Sequence, residues 1–165
     1  MSAPYHLQRF VEAQTHTYAT ALGELNAGRK RSHWMWFIFP QLAGLGHSDM
    51  AQRYAIDSVD EARAYLDHAV LGPRLLACSQ ALLKWRERSA RQILGSPDDL
   101  KLRSSMTLFA LAAPRQRIFN DLLQAFYAGQ ADDRTLELLG TGQLPEPASD
   151  LLALAARQTL SHYEL

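Results

Sequence analysis

The sequence is poor in cysteine, in net charge and in long apolar runs. Cys78 is the single cysteine among 165 residues, which excludes an intramolecular disulfide, a Cys-Xaa-Xaa-Cys redox pair and a cysteine-based zinc site. Seventeen Lys and Arg balance 17 Asp and Glu, and this zero formal charge argues against a protein that coats extended nucleic acid or an anionic membrane. No stretch approaches the roughly 18 apolar residues of a membrane span. We therefore expect a cytoplasmic protein.

The common catalytic motifs are absent as well. The sequence contains no HExxH, GxSxG, GxxxxGK[ST] or GxGxxG pattern and no EF-hand loop. Its six histidines do not fall at metal-ligand spacings. We therefore expect neither a metal nor a cofactor. Cys78 lies in an apolar helical segment, which favours an inert core thiol over a nucleophile.

Helical periodicity dominates what is present. Apolar residues recur on one face from Leu7 to Leu25, and Gly28 ends this first helix. Capping and proline signals predict further helices at Ser48–Tyr54, from Ser58 to about His68, from the Gly72-Pro73 break to about Arg88, from Pro97 to about Ala112, and from Pro114 to Gly129, with a short turn at Thr135–Leu139. The sequence thus predicts an all-α fold, a compact single-domain bundle of seven to nine helices, some of them short.

The C-terminal part differs in composition. Residues 141–150 contain the Gly and Pro typical of a linker, and residues 151–165 include an apolar stretch of helix length from Leu151 to Leu160. We expect a helical domain over residues 1–140, followed by this linker and a C-terminal helix or tail.

The most distinctive segment joins basic to aromatic residues between Gly28 and Gln41. Arg29, Lys30 and Arg31 are followed closely by the run His-Trp-Met-Trp-Phe-Ile-Phe. Basic side chains bind phosphate or carboxylate groups, and tryptophan rings stack on flat ligands. Aromatic residues at helical spacing more often form a core, so packing is the alternative interpretation.

Polar residues also interrupt two apolar helix faces. Ser104, Ser105 and Thr107 lie in the Pro97 helix, where each hydroxyl either bonds to a carbonyl one turn earlier or lines a polar cavity with Lys101 as an anion donor. Gln14 lies on the apolar face of the first helix, where its amide needs up to four hydrogen bonds. A bond to a loop carbonyl and contact with a ligand are the two interpretations.

Five blocks of sequence carry a resemblance. They are Arg9–Gln14, Gly28–Gln41, Tyr54–Ile56, Leu71–Leu75 and Asp98–Phe109. Across about residues 5–139, these blocks resemble the domain-of-unknown-function 1810 family. The resemblance implies a small helical protein, largely bacterial in distribution, without an established activity. Members are often labelled calpastatin, an inhibitor expected to be disordered before binding, whereas this chain has the capping of a folded domain.

A fainter similarity involves the YbiA-like proteins, which act on N-glycosidic bonds. An aromatic-Xaa-Xaa-Ala-Gln helix, a Gly-Arg-Lys block and a late helix with Met106 occur in the same order. This resemblance implies hydrolysis of an N-glycosidic bond. The chain departs from the pattern near Gln8, where an acidic residue is expected and an amide cannot act as general acid or base.

Two functions follow from these observations. In the first, a pocket between the first helix, the His33–Gln41 segment and the Pro97 helix binds a small anionic, nucleotide-like ligand. Its candidate binding residues are Gln14, Arg29, Lys30, Trp34, Trp36, Gln41, Lys101 and Ser105. Its candidate catalytic residues are Glu12 or Asp99 as acid/base and His33 as proton shuttle. In the second, the protein is a non-catalytic adaptor whose apolar stretch from Leu151 docks on a partner or on a second copy, forming a homo-oligomer.

Overall fold

The structure, a computed structural model, describes residues 5–142 and 144. These residues form ten helices and no β-strand. The helices are α1 (Gln8–Thr15), α2 (Tyr18–Asn26), α3 (Met35–Ile38), α4 (Asp49–Arg53), α5 (Val59–Asp67), α6 (Leu71–Leu83), α7 (Ala90–Leu94), α8 (Asp98–Ala112), α9 (Arg117–Tyr127) and α10 (Asp133–Leu139). One isolated parallel bridge joins Leu42 to Ile56. The predicted all-α class is confirmed, and seven of the helices have at least seven residues.

The longest helix, α8, lies at the centre of the bundle. It packs against α5, α7, α9 and α10, which explains why its second half is apolar on every side. Phe109 of α8 is fully buried, and its ring centroid lies 5.5 Å from that of Tyr65 on α5 and 5.6 Å from that of Phe119 on α9. α6 completes the bundle by packing against α2, α5 and α9.

The predicted first helix is interrupted at His16 and Thr17. Both residues leave helical backbone angles, so that α1 and α2 are separate elements. Thr17 donates its hydroxyl to the carbonyl oxygen of Ala13 at 2.6 Å, and Thr15 donates to Val11 at 2.9 Å. Hydroxyls that bond back to carbonyls one turn earlier compete with the helical backbone and bend it. The periodicity of the apolar face continues through this bend and hides it in the sequence.

The Gly72-Pro73 pair was expected to break the chain, yet it lies inside the first turn of α6. The nitrogen of a residue in the first helical turn has no intrahelical carbonyl to bind, so proline costs little there. The helix begins two residues before Pro73 because Nδ1 of His68 accepts hydrogen bonds from the backbone nitrogens of Val70 and Leu71, at 3.1 and 3.2 Å.

Other boundaries also differ from the predictions. α6 ends at Leu83 instead of Arg88, and α7 follows as a separate helix that the sequence analysis did not predict. A capping box between Ser89 and Gln92 starts α7. α8 begins at Asp98, one residue later than the predicted start at Pro97, and α9 begins at Arg117 instead of Pro114.

The predicted C-terminal helix and most of the linker lie outside the described residues. Of the linker, only residues 141, 142 and 144 are described. None of the helices in the described part is long and apolar enough to span a bilayer.

Candidate functional site

Asp98 at the start of α8 joins two of the predicted binding residues. Lys30 Nζ lies 3.0 Å from one carboxylate oxygen of Asp98, and Lys101 Nζ lies 3.5 Å from the other. The side chains are 9%, 26% and 17% exposed for Lys30, Lys101 and Asp98. Two ammonium groups therefore share one carboxylate at the edge of the protein surface, which leaves one positive charge uncompensated in the cluster.

Each of these ammonium groups also lies over a tryptophan ring. Lys30 Nζ is 5.1 Å from the ring centroid of Trp34, and Lys101 Nζ is 5.3 Å from that of Trp36. A cation this close to the face of an indole is attracted by the ring quadrupole. The structure thus brings together four of the predicted binding residues, and it does so around a carboxylate of the chain itself.

A basic recess adjoins this cluster. Its volume is about 440 Å³, and its described lining consists of Arg29, Lys30 and Arg31. The side chains of both arginines are exposed, and neither has an ion-pair partner among the described residues. Lys30 belongs both to the recess, which it lines, and to the cluster around Asp98, which it contacts. An anion in the recess would therefore lie against three consecutive basic residues, of which the two exposed arginines have no ion-pair partner among the described residues.

Glu24 on α2 positions the backbone of this segment, and the sequence analysis did not single it out. Its carboxylate accepts hydrogen bonds from the backbone nitrogens of Arg31 and Ser32 at 2.7 and 3.0 Å, from Ser32 Oγ at 2.5 Å, and from Trp34 Nε1 at 2.9 Å. Burial raises the pKa of Glu24, but these four hydrogen bonds outweigh it and lower the pKa from 4.5 to about 2. The only sequence signal was an acid in the last turn of the helix, five residues before the first arginine of the basic run.

The two tryptophans differ in their availability to a ligand. Trp34 is 1% exposed, its indole nitrogen is bound by Glu24, and Lys30 covers one face. Trp36 is half-buried, with Lys101 over its ring. In this conformation Trp34 holds Lys30 in place, and Trp36 is the ring closer to solvent.

Gln14 lies in a buried hydrogen-bond network away from the basic recess. Its Nε2 donates to the carbonyl oxygen of Phe37 at 2.7 Å and to the hydroxyl of Tyr65 at 3.0 Å, while Arg74 donates to its Oε1 at 3.3 Å. Desolvation raises the pKa of the Tyr65 phenol, which is fully buried. The amide thus bonds to a backbone carbonyl, as expected, but this carbonyl belongs to α3 and not to a loop, and the network ties α1 to α3 and α5.

The three hydroxyls of α8 behave differently from one another. Ser104 and Thr107 donate to carbonyl oxygens one turn earlier, at 3.3 and 2.8 Å, as expected for back-bonding. Ser105 Oγ is fully buried and has no hydrogen-bond partner in the described part of the chain. It lies one turn after Lys101 on the same helix face. Asp99 Oδ1 is likewise buried and unpaired among the described residues, and the hydroxyl of Tyr127 donates to the Asp99 carbonyl.

The remaining predicted site residues are dispersed. Glu12 is exposed on α1, and His33 is exposed in the loop before α3. The structure shows no hydrogen bond or ion pair between any two of Glu12, His33 and Asp99, all of which it describes. Gln41 is half-buried, and its backbone oxygen accepts from the nitrogen of Ile56 beside the parallel bridge.

Two further recesses lie elsewhere on the surface. One of about 500 Å³ includes Arg103 and Leu136 in its lining, and one of about 320 Å³ includes Arg9 and Glu61. Arg9 is occupied there by three backbone carbonyls and by Glu61 at 3.1 Å, which makes it a structural clamp. Within the described residues, no group of three His, Cys, Asp or Glu side chains is placed to hold a metal ion.

Comparison with known proteins assigns the chain to a family. The family model described as "Protein of unknown function (DUF1810)" matches residues 4–139. The chain belongs to the DUF1810 family. The solved structure of the conserved hypothetical protein Rv1873 from Mycobacterium tuberculosis is similar, with a TM-score of 0.82 and 52% sequence identity over 85% of this chain and 100% of that chain. No curated protein sequence matches the chain. These comparisons establish the family but name no activity. The functional proposal therefore rests on the geometry of the site.

Proposed function

We propose that this DUF1810 protein binds a small anionic, nucleotide-like ligand at the basic recess formed by Arg29, Lys30 and Arg31. The observation that carries the proposal is a recess lined by three consecutive basic residues, two of them exposed arginines that no described carboxylate neutralises. Phosphate groups are bound by such arginine and lysine clusters through charge-assisted hydrogen bonds.

The rigidity of the recess supports this function. Lys30 donates its backbone nitrogen to the carbonyl oxygen of Ile93 at 2.7 Å, and Glu24 accepts from the backbone nitrogen of Arg31. The backbone is therefore held on both sides of the loop before a ligand arrives. Binding by a preorganised site loses less conformational entropy than binding by a flexible basic tail.

We confine the proposal to binding, because Glu12, His33 and Asp99 lie on separate elements without contact. N-glycosidic hydrolysis remains a narrower hypothesis that rests on resemblance alone. The adaptor alternative depends on the stretch from Leu151, which lies outside the described residues.

The test is a thermal-shift titration with ADP, ADP-ribose and inorganic pyrophosphate. A ligand at about 100 times its dissociation constant stabilises the folded state by roughly 2.7 kcal/mol. We expect the wild-type protein to show a shift and the Arg29→Gln/Arg31→Gln double variant to lose it.

Arg115→Gln is the matched control. Arg115 is also exposed, but it follows the C-terminal end of α8, about 22 Å along the helix from Asp98. It should retain the wild-type shift. Absence of a shift with all three anions, or an equal shift in the double variant, would refute binding at this recess and would favour the adaptor alternative.

A further inference from the structure

The carboxylate of Asp98 lies between the ammonium groups of two lysines. Its two oxygens contact Lys30 Nζ at 3.0 Å and Lys101 Nζ at 3.5 Å. A phosphate oxygen pair bound by the same ammonium groups would make equivalent contacts with twice the charge. The structure therefore contains an anion site that the chain itself fills.

The two lysines have supports that do not depend on Asp98. The ammonium of Lys30 lies over Trp34, whose indole is in turn fixed by Glu24, and that of Lys101 lies over Trp36. Cation–π attraction holds each ammonium near its ring when the carboxylate leaves. The pair would then present two preorganised cations to an incoming anion.

The filled site and the basic recess share Lys30. This lysine lines the recess with Arg29 and Arg31, and it also pairs with Asp98. Ser105, one turn beyond Lys101 on the same face of α8, adds a buried hydroxyl without a partner in the described residues. An anion in the recess thus lies against the lysine that also contacts Asp98.

We propose that Asp98 is a displaceable internal anion, which a phosphate group of the ligand replaces on Lys30 and Lys101. This inference rests on the proposed function, because the recess and the lysine pair share Lys30. It makes Asp98 a specificity-determining residue. Competition by Asp98 weakens binding of a single phosphate, whereas a ligand with two linked phosphates places one in the recess and the other on the lysine pair.

The experiment compares the affinity of inorganic pyrophosphate for the wild type, Asp98→Asn and Asp133→Asn by isothermal titration calorimetry. Asp133 is the matched control, because it is the first residue of α10 as Asp98 is of α8, and it is exposed. If the wild-type lysines are engaged by Asp98 about 90% of the time, removing the carboxylate raises the affinity about tenfold. Asp133→Asn should leave the affinity unchanged.

A third variant locates the gain in affinity. Asp98→Asn combined with Lys101→Gln should return to the wild-type affinity or below, because the new contact requires both lysines. Asp98→Ser provides a second way to remove the carboxylate with a residue suited to a helix start. An affinity of Asp98→Asn or Asp98→Ser equal to or below that of the wild type would overturn the proposal, as would unfolding of both variants, which would make Asp98 purely structural.

The outcomes separate this inference from the proposed function. If the wild type binds pyrophosphate through Arg29 and Arg31 but Asp98→Asn gains nothing, the function stands and the displacement is wrong. If Asp98→Asn binds pyrophosphate while the wild type binds none of the tested anions, the latent site is supported and the proposed function is wrong.

Discussion

Trp34 Nε1 donates a hydrogen bond to the carboxylate of Glu24 at 2.9 Å, and this contact orients the ring against which Lys30 lies. The same carboxylate accepts from the backbone nitrogens of Arg31 and Ser32. One acidic side chain near the end of α2 therefore determines the course of the basic–aromatic segment. The basic recess depends on this acid although the acid does not line it.

Glu24→Gln should destabilise the protein by about 2 kcal/mol, because hydrogen bonds to a charged group contribute roughly 1.5–3 kcal/mol and the half-buried amide presents one acceptor oxygen in place of two. The measurement is urea unfolding at neutral pH. Glu87→Gln is the control, since Glu87 is exposed and has no described partner. Equal midpoints for the two variants would show that the Glu24 contacts add nothing to stability.

The Glu24 contribution should also depend on pH. Its pKa is lowered from 4.5 to about 2, so folding favours the ionised form. The stabilisation is fully present above pH 4.5 and is lost as the pH falls towards 2. The difference in unfolding free energy between the wild type and Glu24→Gln should therefore shrink through this range. A constant difference would contradict the assigned hydrogen bonds.

Much of the fold could be predicted because local signals agree with the tertiary structure. Ser48 and Ser58 cap α4 and α5 through their hydroxyls, and Pro97 precedes α8. These signals act within a few residues of the chain. The all-α class follows from the same local patterns.

The features that were not predicted depend on contacts between distant residues or on competing local bonds. The bend at Thr17 results from a hydroxyl that competes with the backbone, and the start of α6 depends on the ring of His68. In the candidate site, the basic–aromatic segment could be found from its composition. The ion pair between Lys30 of this segment and Asp98 could not be predicted, because the two residues are 68 positions apart in the sequence. Nothing in the composition indicates that the start of α8 lies beside Lys30.

Gln14→Leu should cost about 1–3 kcal/mol, the usual cost of leaving buried polar groups without partners. The substitution removes the hydrogen bonds to Phe37 and Tyr65. Tyr65→Phe should cost less, because the 2.7 Å bond from Gln14 to the Phe37 carbonyl remains. Thermal unfolding of the two variants checks the order. A larger loss for Tyr65→Phe would mean that the phenol, not the amide, holds the network together.

Cys78 should resist thiol reagents in the folded protein. The side chain is fully buried, and desolvation, only partly offset by Arg74, raises the pKa of its thiol to about 12. A colourimetric disulfide reagent at mildly alkaline pH should react slowly with the native protein and rapidly in denaturing urea. Because the chain has a single cysteine, the reaction reports one site. Rapid labelling without denaturant would show that the core between α2 and α6 opens.

Two glycines of the helices should respond oppositely to alanine. A Cβ on Gly72 would lie 2.0 Å from the backbone oxygen of Leu66, so α5 and α6 would have to separate, at a cost of about 3 kcal/mol. Gly23 lies inside α2 with nothing within 4 Å of such a Cβ, and Gly23→Ala should stabilise by about 0.5–1 kcal/mol through the higher helix propensity of alanine. Thermal melts of the two variants give the comparison. Tolerance of Gly72→Ala would mean that the α5–α6 contact is looser than the structure places it, because no flexible side chain is available there to absorb the clash.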